Sequence, residues 1–255
     1  MSLGHYSGLE GKTAAVTGGS RGIGAASARA LAAAGVAVAV VGRDEDALAG
    51  VAAAITDDGG RALAVRADCT VEVELERCAA TVGAELGALD ILAVFAGGNG
   101  MPVPTPVETA AHWREVIESD LTSTFLTTRA FLPGMIDRGR GSIITMSSAA
   151  ARQPAHSNAA YAAAKAGVIA FTRHLAKELG PAGIRVNCLA PSAVENERMR
   201  QWTTQEQRQE LGREFPLGRI GRPDDVAASA LFFASDASSW ITGVTLDIAG
   251  GKIIV

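Results

Sequence analysis

Two kinds of segment alternate along this chain: short unbroken apolar runs, and longer stretches whose apolar residues recur three or four positions apart. The runs Thr13 to Val16, Val36 to Val41, Ala62 to Arg66, Leu89 to Phe95, Ser142 to Ser147, Arg185 to Ala190 and Val244 to Ile248 read as strands. Continuous apolarity of this kind suits parallel strands covered on both faces. Helical stretches are predicted between them, over Ala25 to Gly35 (ending at a Gly C-cap), Asp44 to Ile55, Val71 to Leu86, Asn158 to Leu179 and Pro223 to Ala234. Two more are predicted at about Ala110 to Ser119 and Leu121 to Arg138, and the charged segment Glu195 to Phe215 reads as a mobile helical flap over a substrate site. Strand–helix alternation predicts an α/β fold, a doubly wound parallel sheet with helices on both faces. No linker or low-complexity stretch interrupts the 255 residues, so a single domain is expected.

Composition adjusts this picture in a few places. Apolar residues make up 48 % and aromatics only 5 %, so the core rests on Ala, Val, Leu and Ile, whose small size lets helices lie close to a sheet. Net charge is −4 with both signs scattered, which argues against a nucleic-acid or anionic-membrane partner. The longest apolar run, Ala30 to Gly42, is divided by Gly35 and falls short of the roughly 20 residues of a membrane span. Met1 to Lys12 lacks the apolar core of a signal peptide. Cys69, Cys78 and Cys188 are dispersed, as are the four histidines, so reduced thiols in the cytoplasm and no metal site are expected.

Candidate chemistry gathers at two places. Directly after the first strand comes Thr17-Gly-Gly-Ser-Arg-Gly-Ile-Gly24, opening a helix. Backbone N–H groups and the helix dipole then face a pyrophosphate. Gly18 would allow the sharp turn, Gly22 close phosphate approach and Gly24 tight helix–strand packing. The glycine spacing differs from the usual dinucleotide fingerprint. The second strand ends in Gly42-Arg43 rather than an acid, so Arg43, with Arg21, points to the 2′-phosphate of NADP(H) rather than to NAD(H). Further on, Tyr161 and Lys165 stand four apart on a strongly helix-forming stretch with Asn158 as candidate N-cap, which puts them on one face. An ammonium beside a phenol favours the phenolate, making Tyr161 a candidate general acid or base. Ser148 ends a strand thirteen residues earlier, where a hydroxyl faces the ligand crevice of an open α/β sheet.

These motifs, in this order and spacing, resemble the short-chain dehydrogenase/reductase family, which is built on a Rossmann fold, and within it the 3-oxoacyl-[acyl-carrier-protein] reductases. The likeness runs from about Leu9 to Gly251 and includes Asp68, Asp90, Gly218-Arg-Ile-Gly-Arg-Pro-Asp-Asp-Val226 and Ile241-Thr-Gly243. The resemblance implies an NADP(H)-dependent oxidoreductase acting on a carbonyl or secondary alcohol, and a homo-oligomer. Ser148 would bind the substrate carbonyl, Tyr161 would exchange its proton, and Lys165 would hold the nicotinamide ribose. It extends the cofactor site to Ser20, Ile23, Asp68, Cys69, Ala96, Gly97, Pro191, Ser192 and Val194. Four departures stand out: Val94-Phe-Ala-Gly97 for Asn-Asn-Ala-Gly, Asp120 at the catalytic Asn that holds a relay water, Pro191-Ser192 for Pro-Gly, and Asn196 for the Thr that touches the carboxamide. An ionised Asp120 beside Lys165 could accept from the relay water but not donate. A regulatory or structural subunit that binds cofactor without turnover is the alternative. The substrate pocket is expected to be lined by Gly98, Asn99, Ala150 to His156 and the 195–215 flap, with His156 read as a solvated loop residue. The surface of the Asn158–Leu179 helix, small or apolar on most sides, suits a subunit contact.

Overall fold

The apolar runs pair in parallel in the order β3-β2-β1-β4-β5-β6-β7. The structure, a computed structural model, describes residues 6–98 and 100–254, and of Arg198 the backbone alone. Its strands are β1 Thr13–Thr17, β2 Ala37–Gly42, β3 Ala62–Arg66, β4 Ile91–Val94, β5 Gly141–Met146, β6 Ile184–Pro191 and β7 Thr245–Ile248. The principal helices are α1 Gly22–Ala33, α2 Glu45–Asp57, α3 Glu72–Leu86, α4 Ala110–Ile117, α5 Ser123–Arg138, α6 Ala159–Leu179, α7 Glu197–Trp202, α8 Gln205–Arg213 and α9 Pro223–Ala234. Alternate strand residues enter opposite layers. Val16, Val38, Val40, Ile91 and Ile144 meet Leu31 of α1 and Phe233 of α9, while Ala39, Leu92, Ile143 and Val186 meet Val82, Phe131, Met135 and Leu175 on the other face. The doubly wound α/β sheet expected from the sequence is therefore the fold.

The strand order reverses beside β1, which leaves a crevice between the C-terminal ends of β1 and β4. Thr17 braces it: its hydroxyl oxygen accepts the N–H groups of Phe95 at 3.0 Å and Ala96 at 3.2 Å. Asp90, just ahead of β4, ties the opposite end of the sheet by accepting the Thr13 N–H at 3.2 Å and pairing with Arg138 and Arg140.

Two expectations need correcting. The sequence suggested separate helices on either side of Asp120. Instead α4 runs into α5 through a single π-helical turn, Glu118–Thr122, which turns Asp120 into the interior. Such widened turns recur at functional sites. The strand before the Ala96-Gly97 loop is also shorter than expected, because Leu89 and Asp90 lie ahead of its ladder. The 195–215 segment is helical as read, forming α7 and α8 with Asn196 and Thr204 as N-caps. Among the described residues, no helix is long and apolar enough to cross a membrane.

Candidate active site

One end of the candidate site begins at Gly18, whose φ of +65° is open to glycine and whose Cβ, were one present, would lie 2.9 Å from the Phe95 carbonyl oxygen. Gly24 is confined from another side. An added Cβ there would sit 2.1 Å from the Gly18 oxygen, so this glycine packs α1 onto its own preceding turn rather than onto a strand. Gly22 faces open space, and the first turn of α1 has neither a side-chain cap nor an acidic residue. Its N–H groups are thus left for an anion, which fits a dinucleotide pyrophosphate. Ser20 reaches toward Gly42 at the end of β2, and Ile23 packs against the core.

Beyond the C-terminal ends of β2 and β3 stand two arginine–aspartate pairs. Arg21 pairs with Asp44, and Arg43, 77 % exposed, stands 3.7 Å from Asp68. Burial would raise the Asp68 carboxyl, but the Thr70 amide and hydroxyl, with Arg43 and Arg66, hold it below the usual carboxylate range. Cys69 next to it is buried, and desolvation pushes its thiol up to about 11. All three cysteines are free and buried.

At the third corner, Asn158 caps α6 by accepting the Tyr161 N–H at 2.7 Å and donates to the Met101 carbonyl at 2.9 Å. The cap fixes where Tyr161 emerges, and Gly100 packs against its ring. Ser148 accepts the Ala150 N–H at 3.2 Å, which leaves its hydroxyl proton to donate elsewhere. Its neighbour Ser147 donates to the Lys165 carbonyl at 2.7 Å, locking β5 to α6. Lys165 is 2 % exposed, with its ammonium 5.6 Å from the centre of the Tyr161 ring. It donates to the Met146 carbonyl at 3.2 Å and lies 3.1 Å from Asp120 Oδ1. Asp120 Oδ1 also accepts the Gly98 N–H at 2.6 Å, and Oδ2 accepts the Ser119 hydroxyl at 2.8 Å. Asp120 therefore meets directly the lysine beside which the sequence placed it. Gly97, at φ +119°, lies so close that an added Cβ would be 2.7 Å from Asp120 Oδ1.

A cavity of about 480 Å³ opens beside Ser148, lined by Ala149, Gln153, Pro154, Ala155, His156, Ser192, Glu214, Lys252 and Ile253. Of the residues expected to line a substrate pocket, Gln153 to His156 and Glu214 line this cavity and Ala150 to Arg152 do not; His156 is exposed. Gly98 does not line it, and Asn99 lies outside the described residues. Lys252 and Ile253 were not anticipated, because the tail after β7 carries no periodic pattern. Pro191 ends β6, Ser192 donates to the Ile248 carbonyl at 3.1 Å, and Val194 is bridged to Gly221. Asn196 has a local task, accepting the Met199 N–H at 2.8 Å as the cap of α7.

The family model described as enoyl-(acyl carrier protein) reductase matches residues 18–252. The chain belongs to the short-chain dehydrogenase/reductase family. It is 37 % identical over 246 residues to the 7alpha-hydroxysteroid dehydrogenase of Escherichia coli K12, covering 96 % of this chain and 95 % of that one. Among solved structures, a Brucella melitensis 3-oxoacyl-[acyl-carrier protein] reductase with bound NAD superposes with a TM-score of 0.90 at 32 % identity, over 99 % of this chain and 95 % of that one. A Beutenbergia cavernae chain assigned to NAD(P)-dependent gluconate 5-dehydrogenase, with bound NADP, superposes with a TM-score of 0.88 at 36 % identity, over 96 % and 97 %.

As a short-chain dehydrogenase/reductase, the protein is an enzyme acting on alcohol and ketone groups, which displaces the reading as a subunit without turnover. Gly24→Ala tests the cradle that this family membership implies. Because the new methyl collides with backbone at Gly18, the variant should lose cofactor binding and about 1–3 kcal/mol of stability. Denaturant unfolding and a cofactor titration measure both, and binding at wild-type strength would show that the turn is not the phosphate site.

Proposed function

We propose that this protein is an NADP(H)-dependent oxidoreductase that moves a hydride between the nicotinamide and a carbonyl or secondary alcohol, in the manner of 3-oxoacyl-carrier-protein reductases. The observation that carries this reading is a buried Lys165 ammonium 5.6 Å from the centre of the Tyr161 ring, together with a Ser148 hydroxyl after β5 whose oxygen accepts the Ala150 N–H and whose proton has no acceptor among the described residues. When bound, the cofactor supplies or accepts the hydride.

Around it each residue has a role that its position supports. Gly18, Ser20, Gly22, Ile23 and Gly24 hold the pyrophosphate at the start of α1, and Arg21 and Arg43 take the 2′-phosphate. Asp68 and Cys69 flank the adenine. Ala96 and Gly97 line the floor, and Pro191, Ser192 and Val194 bound the nicotinamide side. Ser148 donates a hydrogen bond to the substrate oxygen and orients it. Tyr161 gives a proton to that oxygen on reduction and takes one from it on oxidation. Lys165 holds the ribose, and its charge supports the anionic phenol. The substrate enters the cavity walled by His156, Gln153 and the Glu214–Lys252 pair, a polar lining that suits a substrate with hydrogen-bonding groups. The 195–215 segment, which contributes Glu214, is the flap over this cavity. A second copy of the chain covers the exposed stripe Ala159, Ala163, Ala166 and Ala170 of α6, beside the half-exposed Phe125.

Tyr161→Phe removes the phenolic oxygen alone, so folding and cofactor binding should survive. Turnover on a carbonyl substrate should fall by at least the roughly 10²–10⁴-fold that positioned proton transfer contributes. Wild-type turnover in this variant would sink the assignment.

If Arg43 pairs with a 2′-phosphate, Arg43→Ala should weaken NADPH binding by about 1.5–3 kcal/mol, the range for a charged hydrogen bond, and leave NADH nearly unchanged. Calorimetric titration of both cofactors decides it, since equal losses would show that Arg43 does not read the phosphate.

Ala166→Arg places a charge on the alanine stripe without entering the core. Light scattering should then report a smaller assembly than wild type, and an unchanged mass would rule this face out as the contact.

A further inference from the structure

We propose that Asp120 is a positioning residue that pins Lys165 by a direct ion pair and so shifts the working pH range of Tyr161 toward alkali. The proposal rests on the Ser148–Tyr161–Lys165 reading and concerns a residue in which this chain departs from its family. An asparagine at this position would be neutral. Asp120 places a full negative charge 3.1 Å from the ammonium, in a spot where neither partner meets solvent.

The helix geometry and hydrogen bonds among the described residues hold the carboxylate in this pose. The π-helical turn carries it inward, the Gly98 N–H donates to the oxygen that faces the lysine, and the Ser119 hydroxyl donates to the other. Lys165 is held from its far side by the Met146 carbonyl, so the ammonium sits between β5 and the π turn. The same ammonium lies 5.6 Å from the centre of the Tyr161 ring. A phenolate at Tyr161 therefore feels a positive charge that has a negative one 3.1 Å from it. The pair behaves as a dipole, and a dipole stabilises an anion less than a bare cation does.

Other charges near this group do not replace that contribution. Cys188 of β6 faces Lys165, but burial raises its thiol and keeps it neutral. Arg152, on the short turn after Ser148, is held by Asp247 through paired hydrogen bonds of 2.9 and 2.7 Å. On the α4 side, Glu115 and Glu118 are exposed, and His112 pairs with Glu108. The sign follows directly. Removing the Asp120 charge while keeping its shape leaves the lysine's attraction for a phenolate uncompensated, so the phenolate forms at lower pH.

The chain has only two tyrosines, Tyr6 and Tyr161, which makes the phenolate directly observable. In a Tyr6→Phe background, ultraviolet absorbance titration of the full-length protein follows Tyr161 alone, and Tyr6→Phe/Tyr161→Phe supplies the blank. Tyr6 meets Phe232 in a tilted ring contact in the α9 layer, so this background keeps its ring packing. Adding Asp120→Asn should move the phenolate transition about one pH unit toward acid, the size expected of one nearby charge at an effective dielectric near 20. The kcat/KM profile of Asp120→Asn on a carbonyl substrate should move in the same direction. Should the amide not fold, Asp120→Ser is smaller, equally uncharged and gives the same readout. An unmoved or alkaline-shifted transition in the folded variant overturns the proposal. The titration needs no turnover, so it stands apart from Tyr161→Phe kinetics, which test the underlying catalytic assignment.

Discussion

A lysine ammonium taken out of water must be compensated, and much of the candidate active site is arranged around meeting that demand for Lys165. Removing such a charge from solvent costs several kcal/mol even after relaxation unless acceptors meet it. Asp120 and the Met146 carbonyl provide the compensation. Each brings structural requirements of its own. Asp120 reaches the site because the helix widens into a π turn there, and its oxygens need donors, which Gly98 and Ser119 supply. Gly98 can bring its N–H so close only because Gly97 has no Cβ to strike the carboxylate. The irregular helix, the glycine loop and the lysine are thus consequences of one buried charge.

The second organising constraint is size. A sheet reversed beside β1 leaves a crevice only as wide as the elements around it allow. Alanine and glycine predominate where helices meet strands or turns: Ala25 and Ala28 on α1, Ala227 and Ala230 on α9, Ala160 and Ala164 on α6. Gly24 is the extreme case, since it lets α1 start against the backbone of its own phosphate-binding turn. The low aromatic content fits this demand for close approach.

Most of the fold was legible because its signals are local. The runs 62–66 and 223–234 became β3 and α9 with the expected limits, since β-branched or apolar continuity and a Pro at the helix start mark them sharply. The Gly-rich turn, Ser148, Tyr161 and Lys165 were legible as well, because their spacing carries their geometry. Asp120 was visible as a departure beside Lys165, but the turn that brings the two into contact was not. A helical repeat of 3.6 residues puts it on an ambiguous face, and only the extra residue of the π turn aims it at Lys165. Lys252 and Ile253 were missed for a different reason: the tail reaches the cavity by tertiary packing, to which no short-range pattern points. Asn196 is the reverse case. Its difference from the family looked chemical, yet its side chain serves as an ordinary helix cap.

The same distinction between committed and uncommitted groups bears on cofactor choice. Asp44 follows Arg43 and at first resembles the acid that would grip adenosine ribose hydroxyls. One of its oxygens, however, accepts the Ala47 N–H as the cap of α2, while the other pairs with Arg21. A carboxylate occupied on both oxygens offers little to a ribose. The guanidiniums are the more available partners. Arg43 is largely exposed and its contact with Asp68 is long at 3.7 Å, a surface pair of the kind worth about 0–1 kcal/mol. An incoming phosphate would bring more charge and more acceptor oxygens than that carboxylate, so the exchange would favour the ligand. Asp68, released from Arg43, would keep the Thr70 hydrogen bonds that hold it ionised. At this end of the crevice Asp44 is tied into the fold and Arg43 is free to change partners, which supports the proposed preference for the phosphorylated cofactor.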